Sequence, residues 1–278
     1  MNAEHPPRGP YRGPLRAVIF DWAGTTVDYG SCAPAGVFLE VFRRHDVRIT
    51  MAQAREPMGV HKRDHIVAIL AMPVVAAQWR ERHDRDANEA DISSMYDELV
   101  ELQLACLRDF AKLIPGTLDT IAACRERGLK IGSTTGYNRE MLNVLLEEAR
   151  HQMFSPDAAL CVDDVPSGRP DPYMAQRAAI EMRVYPPEAI VKVGDTVPDI
   201  DEGRNAGMWT VAVTKTGNEL GLSEADVAAL TGDELTRRLA AAEDKLAAAG
   251  AHYVIEGVGD LMPVLDQIEA RLSAGERP

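Results

Sequence analysis

The 278-residue sequence contains no apolar run near the ~18 residues that a membrane-spanning helix needs, which excludes a helical membrane protein. It has no CxxC pair among its four cysteines, Cys32, Cys106, Cys124 and Cys161. That spacing excludes the usual zinc and redox motifs and predicts free thiols in a reducing compartment. It has no excess of positive charge: the formal net charge of −13 excludes general binding to nucleic acid or to anionic membranes. An anionic substrate therefore needs a locally cationic pocket. Internal repeats and low-complexity tracts are also absent. The opening residues 1–14 lack the apolar segment of a targeting signal and read as a flexible tail, so the cytoplasm is the expected location.

The composition is that of an ordinary globular protein, 46% hydrophobic and 26% charged, with length for one large or two modest domains. Short, nearly continuous apolar runs recur at 16–20, 129–135, 158–163, 189–195, 210–214 and 252–256, with helical patterns between them. Such runs predict an α/β fold whose parallel sheet is covered on both faces. Ligands in these folds sit beyond the carboxyl ends of the strands, where Asp21, Thr135 and Asp195 would converge. Between the first and second runs lies a long stretch without a comparable strand. Helices are expected there over 35–44, from about Val60, and over 91–112. Pro115-Gly116 closes this insertion. The expected division is a sheet domain (15–30 and 113–278) and a helical cap domain (31–112) over the strand ends.

Several residues at these positions carry chemistry. Asp21 follows the first apolar run in Phe20-Asp21-Trp22-Ala23-Gly24-Thr25, where a carboxylate can be held in line with an electrophile. Gly194-Asp195-Thr196-Val197-Pro198-Asp199 offers two acids at a strand-to-helix turn; they suit a hard cation or, alternatively, an acidic helix start. Thr135 and the following Gly136-Tyr137 can hold phosphate oxygens or make a plain turn. Arg169, on the Pro-stiffened loop Gly168-Arg169-Pro170, presents a planar fork to such oxygens. In Met58-Gly59-Val60-His61-Lys62-Arg63-Asp64-His65, helical spacing places Lys62, His65, Ile66 and Ile69 on one face. A desolvated lysine at the positive end of a helix has a lowered pKa and is a ready amine for a Schiff base. The competing readings are a snorkelling surface lysine and a metal pair, His61 with His65.

Taken in order, these elements resemble the haloacid dehalogenase superfamily over residues 15 to about 215. The resemblance implies a Rossmann-like core, Mg²⁺ and an aspartyl-phosphate intermediate on Asp21. Ala23 departs from the pattern, since superfamily phosphatases carry there the acid that protonates a leaving oxygen. Ala23 together with the Met58-Gly59-Val60-His61-Lys62 segment, Thr134-Thr135-Gly136-Tyr137 and Gly168-Arg169-Pro170 is similar to the phosphonatase branch. That likeness implies cleavage of the carbon–phosphorus bond of phosphonoacetaldehyde to acetaldehyde and phosphate. It implies Asp21, Lys62 and His65 as catalytic groups, with Met58, Gly59, Thr135, Tyr137 and Arg169 around the substrate. It further implies Asp21, the Ala23 carbonyl and Asp195 on the metal, Thr25 and Asp199 behind them, and a homodimer. Cys32 stands near the expected entrance with no assigned role. A sugar-phosphate phosphatase or phosphomutase, with Ala23 against it, and a non-catalytic binding member are the competing functions.

Overall fold

The computed structural model describes residues 9–278. The chain runs through β1 (Ala17–Phe20), then five helices, α1 (Cys32–Arg44), α2 (Met51–Arg55), α3 (Lys62–Ala71), α4 (Pro73–His83) and α5 (Glu89–Leu107). It continues through α6 (Thr117–Glu126), β2 (Lys130–Thr135), α7 (Arg139–His151), β3 (Ala158–Cys161), α8 (Tyr173–Glu181), β4 (Ile190–Gly194) and α9 (Val197–Asn205). The last elements are β5 (Trp209–Val213), α10 (Glu224–Ala229), α11 (Gly232–Ala248), β6 (Tyr253–Ile255) and α12 (Leu261–Ala274).

All strand pairs are parallel, in the order β3-β2-β1-β4-β5-β6. Every residue of β1 is buried because both faces are covered. Val18 and Phe20 pack into a core shared with α1, α5, α7 and α12. Ala17 and Ile19, on the opposite side of the pleat, pack with Met174, Ala175 and Ala178 of α8. Succession moves from β1 towards β3 on one side and resumes with β4 on the other. The switch point therefore lies between the carboxyl ends of β1 and β4, where such sheets open a crevice.

Helices α1 to α5 pack on one another as a continuation of the core that covers Val18 and Phe20. Phe38, Val41 and Phe42 of α1 meet Met95 and Leu99 of α5 and Ile66 and Ile69 of α3 in one apolar cluster. Their limits differ from the sequence pattern in instructive ways. Helix α1 begins at Cys32, earlier than its apolar stripe, because Asp28 accepts the Cys32 and Ala33 N–H groups at 3.0 Å. The expected 91–112 helix starts at Glu89, on an Asn88 capping box, and ends at Leu107 in a short 3₁₀ turn. Helix α4 was not foreseen; it buries only Val75 and Trp79 and so shows little periodicity. No described helix is long and apolar enough to cross a membrane. Residues 1–8 of the expected tail lie outside the described residues. Over 9–14 there is no helix or strand, yet Tyr11 packs on the core and Arg12 donates to the Ser273 carbonyl.

Candidate active site

Asp21 leaves β1 with its N–H bonded to the Val193 carbonyl of β4 (2.9 Å), which ties it to the switch point. Burial raises its carboxyl to about 6, assisted by repulsion from Asp199 and opposed by Arg169. Asp195 enters from the end of β4 and is wholly buried. It accepts the Thr25 hydroxyl (3.3 Å) and the Asn218 N–H (2.7 Å). Gly24 permits this approach: at φ +88 its absent Cβ would lie 2.2 Å from Asp195 Oδ2. Burial and the neighbouring Asp21 push the Asp195 carboxyl well above the usual range.

Asp21, Asp195 and Asp199 bring carboxylate oxygens within 4.8 Å of one another. The three are not equivalent. Asp199 already meets Lys192 Nζ at 2.6 Å, Arg169 Nη1 at 2.9 Å and the Thr196 hydroxyl at 2.6 Å. Burial would raise its pKa, but Arg169 and Lys192 outweigh that and hold it low. Asp195 forms no ion pair among the described residues. A buried, mutually repelling pair, Asp21 and Asp195, thus lines one cleft with Ala23, and that donor set fits a divalent cation. The histidine alternative is not supported. His65 Nε2 faces the Ala54 carbonyl (2.8 Å), His61 Nε2 faces Tyr96, and the carboxylate trio is the only metal-suited group among the described residues.

Arg169 lies 2.7 Å from Asp21 Oδ1 through Nη1. Its other edge is anchored by residues that sequence reasoning missed. Nε donates to Glu202 Oε2 (2.8 Å), and Nη2 donates to the Thr134 carbonyl (2.8 Å) and hydroxyl (2.7 Å). Glu202 also receives the Thr134 hydroxyl (3.0 Å) and has Lys192 Nζ at 3.4 Å. A signal existed in the lysine that interrupts the apolar run of β4, and in Glu202 three residues past Asp199 on one helical face. Thr135 lines the cleft, and its hydroxyl accepts the Tyr137 N–H at 3.2 Å.

The helical layer contributes Met58, Gly59 and Lys62 to this same cleft. Lys62 is 5% exposed at the start of α3, so it is a buried lysine and the snorkelling alternative is wrong. Its Nζ sits 3.7 Å from Met58 Sδ and 5.0 Å from the Tyr137 ring centre. Burial lowers its pKa to about 8, with Asp21 the main opposing influence. Glycines close the seam between layers. A Cβ on Gly59 (φ +100) would meet Thr196 Oγ1 at 2.3 Å, and one on Gly136 would meet the Val60 carbonyl at 2.6 Å.

Two expected neighbours stand back from the cleft. His65 is fully buried, its ring 3.8 Å from that of Phe38, and it is not among the cleft-lining residues. Burial and Lys62 hold its pKa well below normal, so it is neutral. With Nε2 donating to a carbonyl, Nδ1 is the acceptor, and it has no partner. Cys32 points its thiol towards the Tyr29 carbonyl (3.5 Å), and burial raises its pKa. Ser31 and Pro34 line the cleft where the cysteine was considered.

The architecture and the switch-point carboxylates define a class, and a family model for haloacid dehalogenase-like hydrolases matches residues 15–207. Relatives narrow it. The phosphonoacetaldehyde hydrolase of Syntrophobacter fumaroxidans is 47% identical over 97% of each chain. That of Paraburkholderia xenovorans is 48% identical over 95% of this chain and 99% of its own. The crystal structure of a phosphonoacetaldehyde hydrolase-like protein from Oleispira antarctica superposes with a TM-score of 0.96, at 40% identity and 98% coverage of both chains. The chain belongs to the haloacid dehalogenase-like hydrolases and, within them, to the phosphonoacetaldehyde hydrolase family.

Proposed function

We propose that the protein hydrolyses phosphonoacetaldehyde to acetaldehyde and phosphate. The observation that carries this reading is one cleft holding both Asp21 and a buried, low-pKa Lys62, with Ala23 where an acid for an oxygen leaving group would stand. Lys62 Nζ adds to the aldehyde carbon and water departs, leaving an iminium. Asp21 attacks phosphorus, the carbon–phosphorus bond breaks, and its electron pair moves into the iminium to give an enamine. Protonation at carbon and hydrolysis release acetaldehyde and restore the amine. Water then attacks phosphorus of the aspartyl phosphate, releasing phosphate and Asp21.

In this reading Thr135 and the Nη1 of Arg169 hold the phosphonyl oxygens, Nη1 exchanging Asp21 Oδ1 for one of them as substrate binds. Met58, Gly59 and Tyr137 shape the dry environment that keeps Lys62 reactive. His65, neutral with a free Nδ1, accepts and returns protons of the Lys62 steps through water. Mg²⁺ on Asp21, Asp195 and the Ala23 carbonyl would supply positive charge that screens a carboxylate approaching an anionic phosphonyl group. Thr25 and Asp199 steady those ligands. The cavity is narrow, about 20 Å³, so seating the substrate requires the cleft to widen. A homodimer belongs to the same proposal and is checked by sedimentation.

The test is borohydride trapping. Phosphonoacetaldehyde with borohydride should inactivate the enzyme and leave a two-carbon adduct on Lys62 by peptide mass. Phosphate release with Lys62 unmodified would remove the Schiff base from the mechanism.

A further inference from the structure

Four charged groups sit behind the cleft with almost no exposure: the side chains of Arg169 (1%), Asp199, Glu202 and Lys192 (0% each). Burying Glu202 and Lys192 is expensive for a protein that needs only a packed core. Lys192 and Asp199 partner one another at 2.6 Å, and Asp199 also braces Arg169 beside the nucleophile. Among the described residues, Arg169 is the one cleft residue that pairs with Glu202, and one of its oxygens, Oε1, has no hydrogen-bond partner. Its work is concentrated on Oε2, which takes Arg169 Nε and the Thr134 hydroxyl.

These bonds fix a plane. Nε and Nη2 of Arg169 are held by three hydrogen bonds to Glu202 and Thr134, all on the edge away from the cleft. Nη1 alone remains to face Asp21 and Asp199. A guanidinium has this option because its five N–H groups lie in one rigid fork. A lysine at position 169 offers a single ammonium and has nothing with which to grip a rear anchor. Beside its contact with Lys192, the Glu202–Thr134 pair therefore gives an arginine a rear support that a lysine could not use.

We propose that Glu202 and Thr134 are positioning residues for the reaction. They lock the rear edge of Arg169 so that Nη1 is aimed at Asp21 Oδ1 before substrate arrives. The inference rests on the function proposed above and goes beyond it, by assigning to a buried carboxylate and hydroxyl the alignment of nucleophile and cation. Loss of the anchor leaves Arg169 charged and present but free to tilt, which lowers turnover more than binding.

The experiment is a double-mutant cycle on phosphate release from phosphonoacetaldehyde with Glu202→Gln and Arg169→Lys. Glu202→Gln alone should lower kcat roughly tenfold to a hundredfold with KM changed less than about threefold. In the Arg169→Lys background the same change should alter kcat by less than about threefold, since there is no fork to orient. Equal losses in both backgrounds would overturn the proposal and leave Glu202 a support of the fold. Thr134→Val, which removes no charge, covers the case in which Glu202→Gln does not fold. It should lower kcat, and Thr134→Ser should recover most of that loss. A Thr134→Val enzyme with undiminished kcat also overturns the proposal. A wild-type enzyme that releases no phosphate from this substrate sinks the functional reading and the proposal together, whereas an active wild type with additive variants sinks the proposal alone.

Discussion

Replacing Asp21 by Asn should stop phosphate release and at the same time make Lys62 the better amine. Burial drives the Lys62 ammonium down to about 8, and the Asp21 carboxylate is the largest influence holding it up. Asparagine preserves the shape and deletes that charge, so the value falls further. With a pKa of about 8, roughly a tenth of the amine is free at pH 7, against a few parts in ten thousand for an ordinary lysine. A further fall of about one unit would raise the free fraction to roughly one half, about fivefold. The assay follows the initial rate of borohydride-trapped adduct on Lys62 against pH, using metal-chelated enzyme so that no metal ion screens Asp21. The wild-type curve should rise around pH 8, and the Asp21→Asn curve should be displaced to lower pH. A wild-type midpoint in the ordinary lysine range, or a variant curve displaced upward, refutes the electrostatic argument.

Other outcomes follow from the same geometry. Lys62→Met should abolish trapping and raise folding stability by roughly 1–3 kcal/mol, read by denaturant unfolding at neutral pH. The sign is set by the folded pKa lying below the unfolded one. The Lys62 burial penalty is full below about pH 8 and fades as pH rises towards the unfolded value, so the gain of the variant should shrink in alkali. Chelation of divalent metal, or Asp195→Asn, should abolish phosphate release while leaving the Lys62 adduct trappable; loss of both together would refute separate roles for the two halves of the cleft. Gly136→Ala drives a Cβ to 2.6 Å from the Val60 carbonyl and should destabilise by about 1–3 kcal/mol and lower kcat/KM. Gly36→Ala, in α1 with nothing within 4 Å, should be neutral or stabilising by up to ~1 kcal/mol in the same melts.

The legible part of the fold was the part written as local pattern. β1 and β4 are short apolar runs that end in an acid, so the strands, their parallel pairing and the meeting of Asp21 with Asp195 could be expected together. Lys62 was readable because it lies on the apolar stripe of its own helix. Residues whose meaning is purely tertiary were not readable. Glu202 shares a helical face with Asp199, which hints at a buried acid, but no spacing along the chain says that it and Thr134 meet at Arg169. His65 shares the Lys62 stripe, yet the stripe cannot say that its ring turns to Phe38 and the Ala54 carbonyl. The start of α1 was set by Asp28, a side chain outside the helix, which moved its first turn and put Ser31 where Cys32 had been considered.

The position of β1 has a consequence for biosynthesis. The strand that delivers Asp21 is made before the other five described strands, yet Ala17 pairs with Lys130 on one side and Ile190 on the other. Helices α1 to α5, which end at Leu107, precede both neighbouring strands in the chain. During synthesis Asp21 therefore stands on an unpaired strand after the segments of α1 to α5 have been made, and Asp195 and its Asn218 contact follow only after β4. Asp21 and Asp195 thus come together only once the sheet has closed around the earliest-made of its strands.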